Sequence, residues 1–306
     1  MNQRSEELAL DYLERNGAGS AFAVEPAFHP EVHTTLGGVK YVQKSGVVLV
    51  SYPQTCLGNI RPFLAGLGEE YVQYADDEAI EPGAEIAKFA GQMCYLSLGE
   101  KRTKNRDAGK YFQNIKAQSH GSITEHSNYG FLIYGISRSC SHEIVRHRHQ
   151  GFSQLSQRYV GPEALRFVER PEFQNDPFLH ERFQNRIEDT IDEYRLLIHN
   201  LYKKQADGSL ELSADRKTDL RKKVQQTARA VLPNEVETMM VTTANVRAWR
   251  HFIEQRASEH AEVEIRDVAV KVFLALVKFT PLLFDDYDLV ELSDGTLAVS
   301  TPYRKI

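Results

Sequence analysis

The sequence predicts an α+β fold in which long helices surround a mixed or antiparallel sheet. Three observations lead to this fold class. Apolar side chains recur at helical spacing through residues 178–203, a length typical of a long amphipathic helix. Residues 47–50 and 127–136 are rich in β-branched and aromatic residues, which favour strands. The chain has 306 residues, enough for one large domain or two small ones, and its hydrophobic content allows a substantial core.

The N-terminal region differs in character from the rest of the chain. Residues 4–14 have the pattern of a short helix. Residues 17–38 are rich in Gly and Pro and lack a period, which predicts a linker or an extended arm. We therefore expect an N-terminal extension over residues 1–45 and a single compact domain over residues 46–306, which begins with a buried strand.

In the next part of the chain, helices and a strand alternate. Pro82 suits the first turn of a helix, since apolar residues follow at helical spacing as far as Met93. The charge run at residues 101–110 predicts a basic surface loop. After the strand at 127–136, helical spacing resumes and runs into Arg146, and Gly151 is expected to end that helix.

The C-terminal half is predicted to be mainly helical. After the long helix at 178–203, Ser213 is a candidate N-cap of another helix, and Pro233 stops it. A further helix is expected to begin near Asn245. The segment LVELSDGTLAVS predicts a hairpin that turns at Asp294 and Gly295.

Composition narrows the function classes. The net charge of −5 argues against a protein that coats nucleic acid or an anionic membrane, so we expect neither as a partner. The cysteines Cys56, Cys94 and Cys140 lie far apart, which indicates free thiols in a reducing cytoplasm and no disulfide framework or zinc site. The N-terminus has no apolar signal core, and no apolar run is long enough to span a membrane.

The segment EIVRHRHQGFSQLSQRYV, residues 143–160, concentrates planar donors in an otherwise mildly acidic chain. Arginine presents a flat fork of donors that matches phosphate and imide oxygens, and it stays charged at any working pH. Arg146, Arg148 and Arg158, with serines and glutamines between them, therefore suit a phosphorylated ligand.

Other interpretations of this segment stay open on the residues alone. A solvated basic turn is one. His142, His147 and His149 have a spacing that could bind a metal ion, although neighbouring arginines would repel it. A basic patch with aromatic residues could bind RNA. Ser153 or Ser156 could act as a nucleophile, but no GxSxG elbow is present. Neither the GxGxxG nor the GxxxxGK[ST] nucleotide signature occurs.

Four motifs, in order, resemble those of the flavin-dependent thymidylate synthases. The central motif is Arg146-His147-Arg148, then HQGFSQL, then Ser156-Gln157-Arg158-Tyr159. Upstream lies SHGSITEH, residues 119–126, and downstream lie RAVLP, residues 229–233, and NVRAWRHFIEQRASEH, residues 245–260. The resemblance covers about residues 85–300 and makes residues 46–306 a single catalytic domain.

The resemblance implies a methyltransferase reaction. The family methylates dUMP at C5 to give dTMP, takes the carbon from 5,10-methylenetetrahydrofolate, and uses FAD that NADPH reduces. Family members are typically homotetramers whose active sites lie at subunit interfaces. We therefore expect FAD as the cofactor, with dUMP, the folate and NADPH as small-molecule partners.

Carried over residue by residue, the resemblance also implies two binding sets and no metal ligand. The expected FAD contacts are His120, Ser122, Arg146, His147, Arg148, Gln154, Asn245, Val246, Arg247 and His251. The expected dUMP contacts are Glu143, Arg146, Gln154, Ser156, Gln157, Arg158, Arg229 and Arg256.

Arg256 matches the arginine that favours ionisation at uracil N3, so it is the expected catalytic residue. A guanidinium there would stabilise a uracil anion and make C5 more nucleophilic. Some family members have a glutamate where this chain has Gln154. Since an amide cannot act as a base, binding alone is assigned to it. Cys140 is expected to be a packed thiol and not a nucleophile.

Helix geometry adds a structural expectation. At about 100° per residue, Asn245 and Arg256 lie on one face of a straight helix, and Arg247 and His251 lie on nearly the opposite face. We therefore expect this helix to lie at a subunit interface and to serve two sites. Trp249, Phe252 and Ile253 are expected to be core residues. The rival functions are a metal-dependent hydrolase of a phosphorylated pyrimidine and a non-enzymatic RNA-binding module.

Overall fold

The computed structural model describes residues 1–16, 27–72, 80–98, 107–210, 212 and 217–304. Over these residues the chain forms long helices around antiparallel and mixed sheets, which confirms the predicted α+β class. The helices are α1 Gln3–Arg15, α2 Arg61–Leu67, α3 Glu69–Val72, α4 Pro82–Cys94, α5 Ala108–Ala117, α6 Arg138–Ile144, α7 Pro171–Gln174, α8 Pro177–Ala206, α9 Lys217–Ala228, α10 Val246–Arg256, α11 Val263–Phe279 and α12 Pro281–Phe284. The strands are β1 Ala27–Phe28, β2 Val32–Thr34, β3 Lys40–Val42, β4 Gly46–Ser51, β5 Asn128–Ser137, β6 Gln150–Gln154, β7 Phe167–Val168, β8 Glu237–Asn245, β9 Asp288–Glu291 and β10 Leu297–Ser300.

The central sheet has five strands in the order β1-β4-β5-β8-β6, and every pairing is antiparallel. On β5, Tyr129, Phe131 and Ile133 are buried, because alternate residues of a strand point to the same face. The register shifts after Ile133, where Gly135 has a φ of +64° and a Cβ would meet Lys44 O at 2.9 Å. Only glycine fits this bulge without strain.

Two smaller sheets flank the central one. In the three-stranded sheet β2-β3-β7, strands β3 and β7 are parallel, so this sheet is mixed. Strands β9 and β10 form the predicted C-terminal hairpin, in which Leu292 N donates to Thr296 O at 2.8 Å. Gly295 has a φ of +76° at this turn, which confirms the turn chemistry read from Asp294-Gly295.

The long helices supply most of the core. α8 has 30 residues and buries Phe183, Ile187, Ile191 and Tyr194, the stripe that its spacing predicts. α11 is buried on nearly all sides and packs in the same core as α10 and β5. Among the helices of the described residues, none combines the length and the apolar character that crossing a bilayer requires.

The arginine-histidine segment corrects one local prediction. The helix before it ends at Ile144, six residues earlier than a stop at Gly151 requires. Gly151 instead lies in β6 and pairs with Thr243. Sequence reasoning missed β6 because it is an edge strand with half-exposed polar residues, which lacks the apolar alternation of a buried strand.

The N-terminal region is part of the packing. In α1, Ser5 Oγ accepts a hydrogen bond from Leu289 N at 3.0 Å, and Ala9 lies in the main core. Within the expected linker, β1 pairs with β4, and β2 with β3. The division at residue 45 stays a prediction about domain organisation. Three predicted features lie wholly or partly outside the described residues: linker residues 17–26, loop residues 101–106 and the cap at Ser213.

Candidate active site

Helix α10 carries several of the predicted site residues and is firmly anchored. At its start, Asn245 Oδ1 accepts a hydrogen bond from Ala248 N at 2.9 Å, as an N-cap does. Val246 is buried, and its N–H donates to Ser127 O at 2.8 Å. Trp249, Phe252 and Ile253 are fully buried, which confirms their assignment to the core. The opposite face of the helix is therefore free to line a site.

Arg256, the last residue of α10, is held by two neighbours. Its Nη1 donates to Glu143 Oε2 at 2.6 Å, and its Nε donates to His147 Nε2 at 3.0 Å. The Arg256 side chain is 23% exposed and that of Glu143 is 36% exposed, so solvent screens the pair only partly. Glu143 comes from α6, so this contact joins the two segments that the resemblance singles out.

His147 lies between α6 and α10 as a neutral ring. Burial, and then the positive charge of Arg256 and the neighbouring His251, lower the pKa of His147 from 6.5 to about 4. Its ring meets Phe252 edge-on, with centroids 5.0 Å apart, and lies 5.7 Å from the His251 ring. A neutral imidazole offers one acceptor nitrogen, and Nε2 fills that role towards Arg256.

One cleft of about 390 Å³ gathers the arginine-histidine triplet and α10. It is lined by Arg146, His147, Arg148, His149, Gln150, Ala248, His251, Gln255 and Arg256. His251 and Arg256 therefore line one cleft of a single chain, so the helical-wheel argument that placed them on opposite faces is wrong for this pair. The expectation that α10 lies at a subunit interface and serves two sites stays a prediction. Arg256 projects from the helix end and bends back to His147, a reach that a count of 100° per residue leaves out.

A second cleft, of about 500 Å³, adjoins the first through His149, Ala248 and His251. Asn245, Arg247, Glu125 and Glu254 complete its lining. Arg247 pairs with Glu125, which lies on the 3₁₀ turn Gly121–His126. The exposed residues His120 and Ser122 lie on or just before this turn and line neither cleft.

The predicted residues at the end of β6 and just after it lie outside the cleft that contains Arg256. Gln154 Nε2 donates to Ser141 Oγ at 2.8 Å and to Thr238 Oγ1 at 3.3 Å, so its amide acts as a donor. Ser156 Oγ accepts a hydrogen bond from Arg158 N at 3.4 Å. Gln157 follows in the same turn. Neither Gln154 nor these three residues line the cleft that contains Arg256.

Two arginines lie close together on a different part of the surface. Arg229 is the first residue of a 3₁₀ turn after α9, and Arg138 is the first residue of α6. Burial, and then the charge of Arg229, lower the pKa of Arg138. Sequence reasoning missed Arg138. The available signal was a cation in the first turn of a helix, which the helix dipole disfavours.

Lys222 and Tyr159 were also missed. The Tyr159 ring lies 6.0 Å from the Arg158 guanidinium and 5.2 Å from Lys222 Nζ, and it is half-exposed. Both cations are within cation–π range of the Tyr159 ring, so Lys222 lies near Arg158. Lys222 is one residue of a run of basic residues in α9, which gave no distinct signal in the sequence.

Two further features concern other ligands. No group of three or more His, Cys, Asp or Glu side chains is arranged to hold a metal ion in the part of the chain that the structure describes.

A separate cavity of about 270 Å³ lies between α1, α11 and the β9–β10 hairpin. None of the predicted site residues lines that cavity.

Comparison with known proteins identifies the family. A family model described as thymidylate synthase complementing protein matches residues 78–282. A flavin-dependent thymidylate synthase of Mycolicibacterium gilvum (strain PYR-GCK) is 41% identical over 220 residues, which is 72% of this chain and 86% of the relative. The chain belongs to the flavin-dependent thymidylate synthase family. A second relative with that name, from Mycobacterium leprae (strain Br4923), is 40% identical over the same shares of both chains.

A solved structure shows the same fold at low identity. The UMP/dUMP methylase PolB of Streptomyces cacaoi, bound with 5-Br dUMP, gives a TM-score of 0.51 at 18% identity. The match covers 79% of this chain and 94% of the methylase. Membership of the flavin-dependent thymidylate synthase family makes this chain an enzyme of the methyltransferase class and supports the conversion of dUMP to dTMP.

Proposed function

We propose that this enzyme methylates dUMP at C5 to give dTMP, with 5,10-methylenetetrahydrofolate as the carbon donor, FAD as the cofactor and NADPH as the reductant. The observation that carries the proposal is the Arg256 guanidinium, held by Glu143 and His147 at the edge of an arginine-rich cleft. Family membership supplies the reaction type, and this geometry supplies a fixed cation for a pyrimidine ring.

The two clefts along α10 fit a flavin dinucleotide. Such a cofactor has two ring systems joined by a pyrophosphate, and the clefts adjoin through shared residues. Arg146 and Arg148 in one cleft and Arg247 in the other are suited to the phosphates, because a guanidinium forms paired hydrogen bonds with phosphate oxygens. We assign the remaining contacts to His120, Ser122, Gln154, Asn245, Val246 and His251. When bound and reduced, the flavin supplies the hydride.

The nucleotide is assigned to the guanidinium and amide groups of the central motif. We place its phosphate at Arg158 and Arg229, and its uracil ring near Arg256. Glu143, Arg146, Gln154, Ser156 and Gln157 complete the set. Since Arg158 and Gln154 lie outside the Arg256 cleft of one chain, a site assembled from two chains would unite them. This separation supports active sites at subunit interfaces, and the family resemblance makes the proposed assembly a homotetramer.

The role of Arg256 is electrostatic, and it forms no covalent bond to the substrate. Beside uracil N3 and the adjacent carbonyl, its guanidinium stabilises an anionic ring and so raises electron density at C5. No protein nucleophile is needed for this role. Cys140 is buried in the core, and burial raises the pKa of its thiol well above the ordinary value, which agrees with a packing role.

The proposed compartment is the cytoplasm. Cys56, Cys94 and Cys140 are all free thiols, as expected in a reducing compartment. The folate and NADPH are assigned by the family resemblance.

Spectra and turnover together test this function. The purified protein is incubated with FAD, and we expect flavin absorbance that NADPH bleaches. With dUMP and 5,10-methylenetetrahydrofolate added, chromatography should show dTMP. Turnover of a phosphorylated pyrimidine that requires a metal and survives flavin removal would favour the hydrolase. Salt-dependent RNA binding without turnover would favour the RNA-binding module.

A further inference from the structure

Two side chains hold the Arg256 guanidinium at different nitrogens. Glu143 Oε2 accepts from Nη1 at 2.6 Å, and His147 Nε2 accepts from Nε at 3.0 Å. The carbonyl oxygen of Glu143 lies 3.5 Å from Nη2. Because the guanidinium is planar, two anchors on different nitrogens fix both its position and its rotation. The remaining N–H groups are then aimed by the protein and not by the ligand.

We propose that His147 is a positioning residue for Arg256, a neutral acceptor that works together with Glu143, and that it is not primarily a flavin contact. The proposal rests on the proposed function, since it assigns to Arg256 the site beside the uracil ring. It differs from the resemblance, which implies that all three residues of the Arg146-His147-Arg148 triplet contact FAD.

The neutrality of His147 is what makes it suitable. An imidazole that accepts at Nε2 carries its proton on Nδ1, whereas an imidazolium has no acceptor and would place a second cation beside Arg256. Arg256 and His251 from α10 act on the ring directly. Arg146, Arg148 and His149 line the same cleft, and Glu143 lies across Arg256. Glu143 partly balances the arginine charge, and His147 adds a hydrogen bond without removing any of it.

Packing keeps the ring in place. Its edge-on contact with Phe252 sets the ring plane at 76° to a side chain that is fully buried. The His251 ring lies 5.7 Å away. Because Phe252 belongs to the rigid core face of α10, the imidazole takes its orientation from the core. Phe252 thus orients His147, and His147 in turn holds Arg256 at the cleft.

Three variants at this one position separate the acceptor from the ring. In His147→Gln, the amide oxygen can reach the place of Nε2, and in His147→Asn it reaches only the place of Nδ1. His147→Phe keeps a ring and has no acceptor. We expect the Asn and Phe variants to lower kcat by about ten- to hundredfold, the range for a lost hydrogen bond to a charged group. The Gln variant should recover kcat to within about fivefold of the wild type.

Bound flavin per chain is measured on the same samples. Under this proposal, the three variants retain similar amounts of flavin, and their turnover follows the presence of the acceptor. The proposal is overturned if Gln is as slow as Phe, or if all three lose flavin and excess FAD restores their rates.

A readout that does not need activity keeps the two proposals distinguishable. In wild-type protein labelled with ¹⁵N-histidine, NMR should show His147 protonated at Nδ1 and unprotonated at Nε2 at pH 7. The opposite tautomer would overturn the positioning role. Absence of dTMP formation by the wild type would overturn the proposed function, and the tautomer would still support or refute the bond between His147 and Arg256.

Discussion

Asp285 and Asp286 are adjacent carboxylates that differ in burial, and they form a matched pair for a stability experiment. Asp286 is 4% exposed and accepts from Arg250 Nη1 at 2.8 Å and from Nη2 at 2.7 Å. The Arg250 side chain is 1% exposed. Asp285 is 50% exposed, and both carboxylates contact Lys116. Replacement of each aspartate by asparagine removes the same charge from two environments.

The two substitutions should lower the unfolding free energy by different amounts, because the two carboxylates differ in burial. Asp286→Asn leaves a buried guanidinium without its counter-ion, which costs about 3–5 kcal/mol of unfolding free energy. The hydrogen bonds and charge of Arg250, together with the charge of Lys116, lower the pKa of Asp286 to about 2 despite its burial. From the ordinary value near 3.8, that shift corresponds to about 2–3 kcal/mol. Asp285→Asn should cost less than about 1 kcal/mol, because solvent screens the half-exposed Asp285 and Asp286 remains as a counter-ion for Lys116.

Urea unfolding of the wild type and both variants measures these costs at neutral pH. Since the folded pKa of Asp286 is depressed, its contribution is full above about pH 4 and is lost as pH falls towards 2. The difference in unfolding free energy between the wild type and Asp286→Asn should therefore become smaller over that range. If the two variants lost the same unfolding free energy at neutral pH, the assignment of Arg250 and Asp286 as a buried, mutually dependent pair would be refuted.

Three further predictions concern the clefts. Arg256→Ala should lower turnover by at least about tenfold while flavin retention changes less, and a variant that loses flavin but turns over normally when FAD is restored would contradict this role. Arg158→Lys should weaken dUMP binding in calorimetry, because a point charge replaces a paired fork; unchanged affinity would argue against a contact there. Because the pKa of His147 is lowered to about 4, wild-type stability should fall relative to His147→Gln as pH drops from about 6.5 to about 4, by at most about 3 kcal/mol, in unfolding curves at each pH. Parallel pH profiles of the two proteins would show that His147 is not held neutral.

The sequence predicted the elements that have strong periodicity or distinct turn chemistry. α8 was predicted because four buried residues recur at intervals of three or four over a long run. The β9–β10 hairpin was predicted from the segment LVELSDGTLAVS, in which Asp294-Gly295 marks the turn, since few residues adopt the backbone that this turn requires. Both signals come from residues that are near one another in the chain, so a single sequence is enough to recognise them.

What the sequence did not predict depends on distant partners. β6 is a strand only because β8, more than 80 residues away, pairs with it. The pKa of Arg138 is lowered in part by the charge of Arg229, which lies on a turn that is distant in the sequence. The contact between His147 and Arg256 joins residues 109 positions apart. A helical-wheel count treats each element by itself, so it missed that His251 and Arg256 line one cleft.

The three arginines of NVRAWRHFIEQR show why burial decides function where residue type does not. Arg247 is exposed and pairs with Glu125 on a surface turn. Arg250 is fully buried, and Asp286 and the Leu283 carbonyl oxygen occupy both of its terminal nitrogens, so it has a structural role. Arg256 lies between these extremes. Since its anchors hold it at a cleft without enclosing it, it keeps N–H groups for a ligand and a charge that solvent only partly screens. That intermediate burial makes Arg256, and not its two neighbours on α10, the residue suited to stabilise an anionic ring.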